Sequence, residues 1–189
     1  MVAPTLELDT EQHAALGRAF ECWSFTDDEH SQFFNNLSTL STEETEIILC
    51  AADPQYFIET YCQIYDAQVG DWIPFKLWNE QIDVLNLFHY EQLVIALKSH
   101  QIGLTWEALV YALWQMLFAP IATVLIFSKR DDESTYLLSE ERLRGIYDRL
   151  PRFLKTESET IDSAKTWQLS NGSTARAFPT TAGDSYTAP

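Results

Sequence analysis

The sequence predicts an α/β fold, a parallel sheet flanked by helices with an acidic helical lead-in at the N-terminus. The first sign is the order of apolar runs. Residues 92–97 (QLVIAL) have strand length, 106–118 helix length and 123–127 strand length again, and 131–150 form a long helical stretch. Strand, helix, strand, helix within one sheet requires parallel strands joined by right-handed crossovers. The second sign is composition: hydrophobic residues make up 46% and aromatics 13% of the 189 residues. That is enough apolar surface to offset the ordering entropy that keeps poorer chains disordered, at a length that suits one domain. The third is charge, since Arg18 is the only Lys or Arg before Lys76 while acidic residues crowd the stretch from Glu7 to Glu46. The two ends of the chain therefore do different jobs.

Within the lead-in, residues 1–52, Asp9 or Thr10 starts a helix over 11–23. Ser41-Thr42-Glu43-Glu44 has the Ser-x-x-Glu spacing of a capping box ahead of Ile47, Ile48 and Leu49. The lead-in serves either as a solvated helical face or as a partner-docking surface. Asp53-Pro54 breaks the chain and opens the second unit, residues 53–189, in which 56–65 reads as a helix with Phe57, Tyr61 and Ile64 on one face. Gly70-Asp71-Trp72-Ile73-Pro74 reads as an aromatic loop. Leu77 to Gln81 then lead into a helix whose apolar side comes from Ile82, Leu85, Leu87 and Phe88. After the strand and helix already described, Pro120 separates the next buried strand, and Pro151 stops the helix over 131–150. Two short runs, 166–170 and 173–178, flank Asn171-Gly172, the pair that suits a type I′ hairpin turn.

Several function classes are excluded by composition. A net charge of -16, from 12 basic and 28 acidic residues, repels a phosphate backbone and argues against a general nucleic-acid coat protein. The three cysteines, Cys22, Cys50 and Cys62, stand at long spacings without a CxxC pair or a His at ligand spacing. Neither a disulfide framework nor a structural zinc is expected. The N-terminus lacks the basic start and apolar core of a signal peptide, which puts the chain in the reducing cytoplasm. Residues 104–127 are almost wholly apolar, but Glu107, Gln115 and Pro120 interrupt them, so they read as a buried helix feeding a buried strand instead of a membrane span.

The chemistry lies between the strand at 92–97 and the helix at 106–118. A phosphate-binding loop works because backbone N–H groups at a helix N-terminus point into one concavity and the helix dipole adds positive potential there. A lysine reaches the outer phosphates and a Ser or Thr hydroxyl ligates magnesium, usually in the spacing G-x-x-x-x-G-K-[ST]. In Lys98-Ser99-His100-Gln101-Ile102-Gly103-Leu104-Thr105, Gly103 and Thr105 occupy the second Gly and the Ser/Thr, but Leu104 stands at the lysine position and Lys98 at the first Gly. The literal motif fails. The physical requirement is met if Lys98, at the end of the strand, folds its flexible stem across the loop. The alternative is an ordinary strand-to-helix turn.

The run LVIALKSHQIGLTWEALVYALW resembles the ATPase half of the large terminase subunits of tailed bacteriophages and prophages, which commonly carry a displaced lysine before a Q-x-G-x-[ST] loop. Upstream, DPQYFIETYCQIYD and WIPFKLWNEQIDVLNLFH continue the resemblance. Downstream, TVLIFSKRDDESTYLLSEERLRGIYDRLP and WQLSNGSTARAFPTTAGDSYTA extend it, so that it covers 53–188. It implies a P-loop NTPase-type sheet, incomplete, and a cytoplasmic motor in a bacterial host that couples ATP hydrolysis to translocation of double-stranded viral DNA into the procapsid. It further implies that residues 98–105 bind nucleotide, with Lys98 on the phosphates, Gln101, Ile102 and Gly103 supplying loop amides, and Thr105 on Mg2+. Gln81 matches the glutamine that reads the adenine edge, against the alternative of a solvent-facing helix residue. Trp78 either walls that pocket or, the preferred reading, packs in the core. Lys129 and Arg130 either face DNA or a neighbouring subunit, or form an exposed helix cap.

The sequence departs from the family at three places. His100 replaces a common arginine, leaving a group only partly charged at neutral pH. An arginine expected shortly before the second ATPase motif is replaced near Asp184, with Arg176 the alternative finger. The apolar strand ending in Asp-Glu, and the nuclease domain beyond it, do not follow TTAGDSYTA before Pro189. The resemblance therefore implies a front half of an ATPase that binds but does not hydrolyse ATP, whether a gene remnant, a trimmed chain or one piece of a split protein. Its expected partners, the portal, the small terminase subunit and further copies of itself, belong to the complete motor. Two other readings fit the residues: a fragment of a helicase-like P-loop translocase, and a non-catalytic acidic interaction module.

Overall fold

Side-chain caps set the helix boundaries in the acidic N-terminal part of the computed structural model, which describes residues 8–22, 26–99 and 102–180. Helix α1 (Thr10–Cys22) starts after Asp9, whose carboxylate accepts the Gln12 N–H at 2.8 Å. Helix α2 (Asp27–Leu37) is capped by Thr26 and Glu29, and α3 (Thr42–Ala52) by Ser41 and Glu44, each pair forming a reciprocal capping box. The box at Ser41 is the one its spacing predicts. Asp53 ends α3 and starts α4 (Pro54–Tyr61), its carboxylate accepting the Gln55 N–H with proline in the first turn.

The helix expected over 56–65 stops at Tyr61. Strand β1 (Gln63–Asp66) follows and pairs antiparallel with β2 (Asp71–Pro74), so Ile64 lies opposite Ile73 in a hairpin and the expected loop at 70–74 is a strand. The Asp66 carboxylate accepts the Gln68 N–H and the Asp66 carbonyl accepts the Gly70 N–H, which closes the turn. Helix α5 (Asn79–Tyr90) buries Leu85 but leaves Leu87 exposed, against the expected apolar side.

The predicted strand over 92–97 is not formed. These residues run without strand pairing between α5 and α6 (Leu104–Phe118), and Leu93, Ile95 and Leu97 are 81%, 81% and 98% exposed. A strand needs a partner for its N–H and C=O groups, and none of the described strands pairs with this segment. Strand β3 (Thr123–Ser128) forms as expected but is half-exposed, with Leu125 and Phe127 facing outward. The long helix over 131–150 is two helices, α7 (Asp131–Leu138) and α8 (Leu143–Arg149). Ser139 interrupts them, its hydroxyl donating to the Tyr136 carbonyl in competition with the helix ladder.

Beyond a 3₁₀ turn at Arg152–Leu154 come β4 (Glu159–Asp162), β5 (Thr166–Leu169) and β6 (Thr174–Pro179). The four-stranded sheet has the order β3-β6-β5-β4, with β3 and β6 parallel and the other pairs antiparallel. The molecule is thus mixed α/β with a mixed sheet, where a parallel sheet was expected. The β5–β6 hairpin is present, but four residues, Ser170 to Ser173, separate its strands, with Gly172 at φ 88° and the Leu169 N–H bonded to the Ser173 carbonyl. The Asn171 side chain bonds at both of its polar atoms. Its amide donates to the Met116 carbonyl at the end of α6, and its oxygen accepts the Ser173 N–H.

One hydrophobic core joins the lead-in to the rest. Leu16 and Leu49 belong to the same cluster as Phe57, Leu113, Ile146 and Trp167, and the Trp114 indole N–H donates to the Cys50 carbonyl at 2.7 Å. Glu46, also buried, accepts hydrogen bonds from Gln12, Tyr56 and Tyr61. Among the described residues no helix is long and apolar enough to cross a membrane.

Candidate functional site

Gln81 fixes the geometry of the loop that enters α6. Its side-chain oxygen accepts the Trp78 N–H at 3.0 Å and so caps the start of α5, while its amide donates to the Ile102 carbonyl at 3.1 Å. Gln81 is 7% exposed, which overturns the alternative of a solvent-facing helix residue. Gly103 follows at φ 76°, and a Cβ there would lie 2.7 Å from the Gln81 amide nitrogen. Only glycine accepts both the left-handed backbone and this approach. Having no side chain, Gly103 caps none of the first N–H groups of α6, and its carbonyl accepts from Glu107, which begins the helical ladder. The positive end of the dipole of this four-turn helix points at the loop.

Two cavities flank Leu104. One, about 380 Å³, is lined by Trp78, Gln81, Val84, Ile102, Leu104 and Glu107, with Glu80 at its edge. Trp78 is 62% exposed and does not pack in the core as preferred from sequence. The second, also about 380 Å³, is a mainly apolar groove in which Lys98 and Thr105 share the lining with Leu104, Ala108, Leu125 and Leu137. The fold thus brings Lys98 and Thr105 to one groove, and Gln81 to a neighbouring cavity across Leu104. Lys98, Ser99 and Thr105 are exposed, and Ile102, Gly103 and Leu104 half-buried. His100, Gln101 and Asp184 lie outside the described residues.

Arg130 pairs with Asp132 and stands 3.8 Å from Glu133 on the exposed start of α7, so its charge is locally offset. Arg176 is exposed on β6, in register with Leu125 of β3. Among the described residues no cluster of three or more His, Cys, Asp or Glu is placed to hold a metal ion. Magnesium bound together with phosphates keeps several waters and takes few protein ligands. The exposed hydroxyl of Thr105, in the groove it shares with Lys98, fits that requirement as a single ligand.

Glu107 is the residue that sequence reasoning passed over. It is completely buried, both carboxylate oxygens lack a hydrogen-bond partner, and burial pushes its pKa up to about 7. The signal was a lone acid in the apolar stretch over 104–118, which reads as a mere interruption until the fold sets it beside Gln81. No protein-family model matches this chain, and a comparison with curated proteins finds no match.

Proposed function

We propose that this chain is the nucleotide-binding part of a DNA-packaging motor ATPase of the large terminase type, taking ATP with Mg2+ at the N-terminus of α6. The observation that carries this reading is that Lys98 and Thr105 line one groove at the N-terminus of α6, where Gly103 provides no side-chain cap. A helix N-terminus and one ammonium attract the charge of a triphosphate, and the Thr105 hydroxyl serves as the protein ligand of magnesium. Gln81 supports the base end. Having spent one amide hydrogen on Ile102 and one lone pair on Trp78, it keeps one of each. That remaining pair matches an adenine edge across Leu104 from the phosphates. Hydrolysis, which needs a group to orient water, belongs to the complete motor under this reading. DNA, the portal, the small terminase subunit and further copies of the chain are partners of the complete motor under this reading.

ATP titration with and without magnesium tests it. Lys98→Ala is expected to weaken binding about tenfold or more, a loss of about 1.4 kcal/mol or greater. Thr105→Val, which keeps the shape and removes the oxygen, is expected to weaken only magnesium-dependent binding. Equal affinities of wild type and Lys98→Ala overturn the assignment.

A further inference from the structure

Arg142 and Arg149 stand at opposite ends of α8 and line one cavity of about 420 Å³, within the size range of small-molecule pockets, on the order of 300–1,000 Å³. Three rings, Tyr65, Trp72 and Tyr136, and two acids, Glu140 and Glu141, complete the lining. In a chain with 28 acidic and 12 basic residues a guanidinium readily finds a carboxylate, and Arg18, Arg130 and Arg144 each pair with one. Among the described residues, Arg142 and Arg149 pair with none. Backbone carbonyls and ring faces hold them instead. Arg142 donates to the Glu141 carbonyl at 3.0 Å and lies 4.3 Å from the Trp106 ring centre and 4.5 Å from that of Tyr136. Arg149 donates to the Gly145 carbonyl at 2.8 Å and lies 3.7 Å from the Trp72 ring centre. Stacking sets the plane of each guanidinium and leaves most of its N–H edge for an anion. The walls are closely fitted as well. A Cβ at Gly145 would lie 2.7 Å from the Trp72 ring and closer still to the Glu140 carbonyl oxygen, so a glycine lets α8, β2 and the turn before α8 close around this space.

We propose that this cavity binds a small zwitterion with an apolar body, the chemistry of a free α-amino acid with an aromatic or aliphatic side chain. The charges of the lining select the class. Two guanidiniums and two carboxylates cancel, so a bare dianion loses to Glu140 and Glu141 much of what it gains from the arginines. A ligand with one carboxylate and one ammonium engages both sets. Its carboxylate takes N–H donors from Arg142 and Arg149, whose planar forks match it. Its ammonium faces Glu140 and Glu141, and its side chain lies against the rings of Tyr65, Trp72 and Tyr136. Both glutamates are exposed, where solvent weakens an ion pair, so the carboxylate end contributes the larger share of affinity. None of these side chains lines the Lys98 groove or the Gln81 cavity, and the proposal stands apart from the nucleotide-binding reading.

Ligand-observed NMR with L-phenylalanine, phenethylamine, which lacks only the carboxylate, and 3-phenylpropionate, which lacks only the amino group, tests the assignment. Wild type is expected to bind phenylalanine about tenfold or more tighter than phenethylamine, as charge-assisted hydrogen bonds imply, and several-fold tighter than 3-phenylpropionate. Arg149→Met keeps the aliphatic stem on Trp72 and removes the fork. It is expected to weaken phenylalanine about tenfold and leave phenethylamine unchanged. Glu140→Gln combined with Glu141→Gln is expected to erase the advantage of phenylalanine over 3-phenylpropionate. Equal binding of the three compounds by wild type overturns the proposal whether or not the variants fold, as does no binding of phenylalanine at millimolar concentration. Tighter binding of 3-phenylpropionate or of inorganic phosphate than of phenylalanine overturns the zwitterion assignment in favour of a simple anion site. Displacement of phenylalanine by ATP also overturns it, whereas ATP binding that depends on Lys98 and leaves phenylalanine in place supports two separate sites.

Discussion

Gly103 and Gln81 are fitted to each other: the Gln81 amide nitrogen occupies the space a side chain at Gly103 would need, 2.7 Å from the position of a Cβ. The same amide donates to the Ile102 carbonyl, so the start of α5 and the entry to α6 are held by one side chain. Gly103→Ala meets both a left-handed φ of 76° and this contact. It is expected to cost about 1–3 kcal/mol. Gln81→Ala removes the contact and the cap together. In the double variant the alanine at Gly103 no longer meets the glutamine, so the two losses are expected to be less than additive by about 0.5 kcal/mol or more, within the usual range for residues in contact. Urea denaturation of the four proteins measures this. Strict additivity would show that the pair is not coupled.

Glu46 is the polar centre that joins the lead-in to α4. The phenols of Tyr56 and Tyr61 and the amide of Gln12 all donate to its carboxylate. Burial, and then the hydrogen bond to Glu46, raise both phenol pKa values above the ordinary range for tyrosine. Glu46→Leu leaves those donors without an acceptor and is expected to destabilise the protein by about 2–4 kcal/mol. Glu46→Gln keeps an acceptor and is expected to lose less. Thermal denaturation followed by near-ultraviolet circular dichroism, which reports the tyrosine environment, distinguishes them. Equal stability of the leucine variant and wild type would mean that the hydrogen bonds contribute nothing net.

Features decided by neighbouring residues were legible in the sequence. The Ser41–Glu44 box, the Asp53-Pro54 break, α6 and the β5–β6 hairpin depend on spacings of a few residues. Features decided by distant partners were not. Residues 92–97 have the composition of a buried strand, but pairing depends on a partner strand and none of the described strands pairs with them. Asn171 carries the right turn signal, yet its amide is drawn to Met116, more than fifty positions earlier, and the loop takes another form. At the site, Gly103 and Thr105 stood out by type and spacing, and Gln81 through the family resemblance. Glu107 did not, because a single acid acquires chemical meaning only from the cavity around it.

The segment over 92–97 makes a prediction of its own. Leu93, Ile95 and Leu97 expose more than four-fifths of their surface each, and the segment pairs with none of the described strands. Such an edge pairs readily with another strand. Wild type is expected to self-associate as its concentration rises, and Ile95→Lys to suppress this with stability unchanged within about 0.5 kcal/mol, as for most surface changes. Sedimentation velocity over a range of concentrations reads the result. Identical association in the lysine variant would place the contact elsewhere.

Glu107 links the site to pH. Its pKa is raised from 4.5 to about 7 because burial penalises the charged form. A carboxyl that binds its proton more tightly in the folded than in the unfolded state contributes stability that is complete below the unfolded pKa and lost as pH rises through the folded one. The window here therefore runs from about pH 4.5 to about pH 7. Without ligand, the contribution of this group is expected to fall across that window and stay level above it. Glu107→Gln carries no charge at any of these values, so it should match wild type near pH 4.5 and exceed it at pH 8 by on the order of 1–2 kcal/mol, after allowing for partial solvation of the ionised group. Denaturation midpoints of the two proteins at half-unit intervals of pH give the comparison. A constant difference across the range would mean that Glu107 ionises in the folded state as it does in the unfolded one, and that its buried position carries no electrostatic penalty.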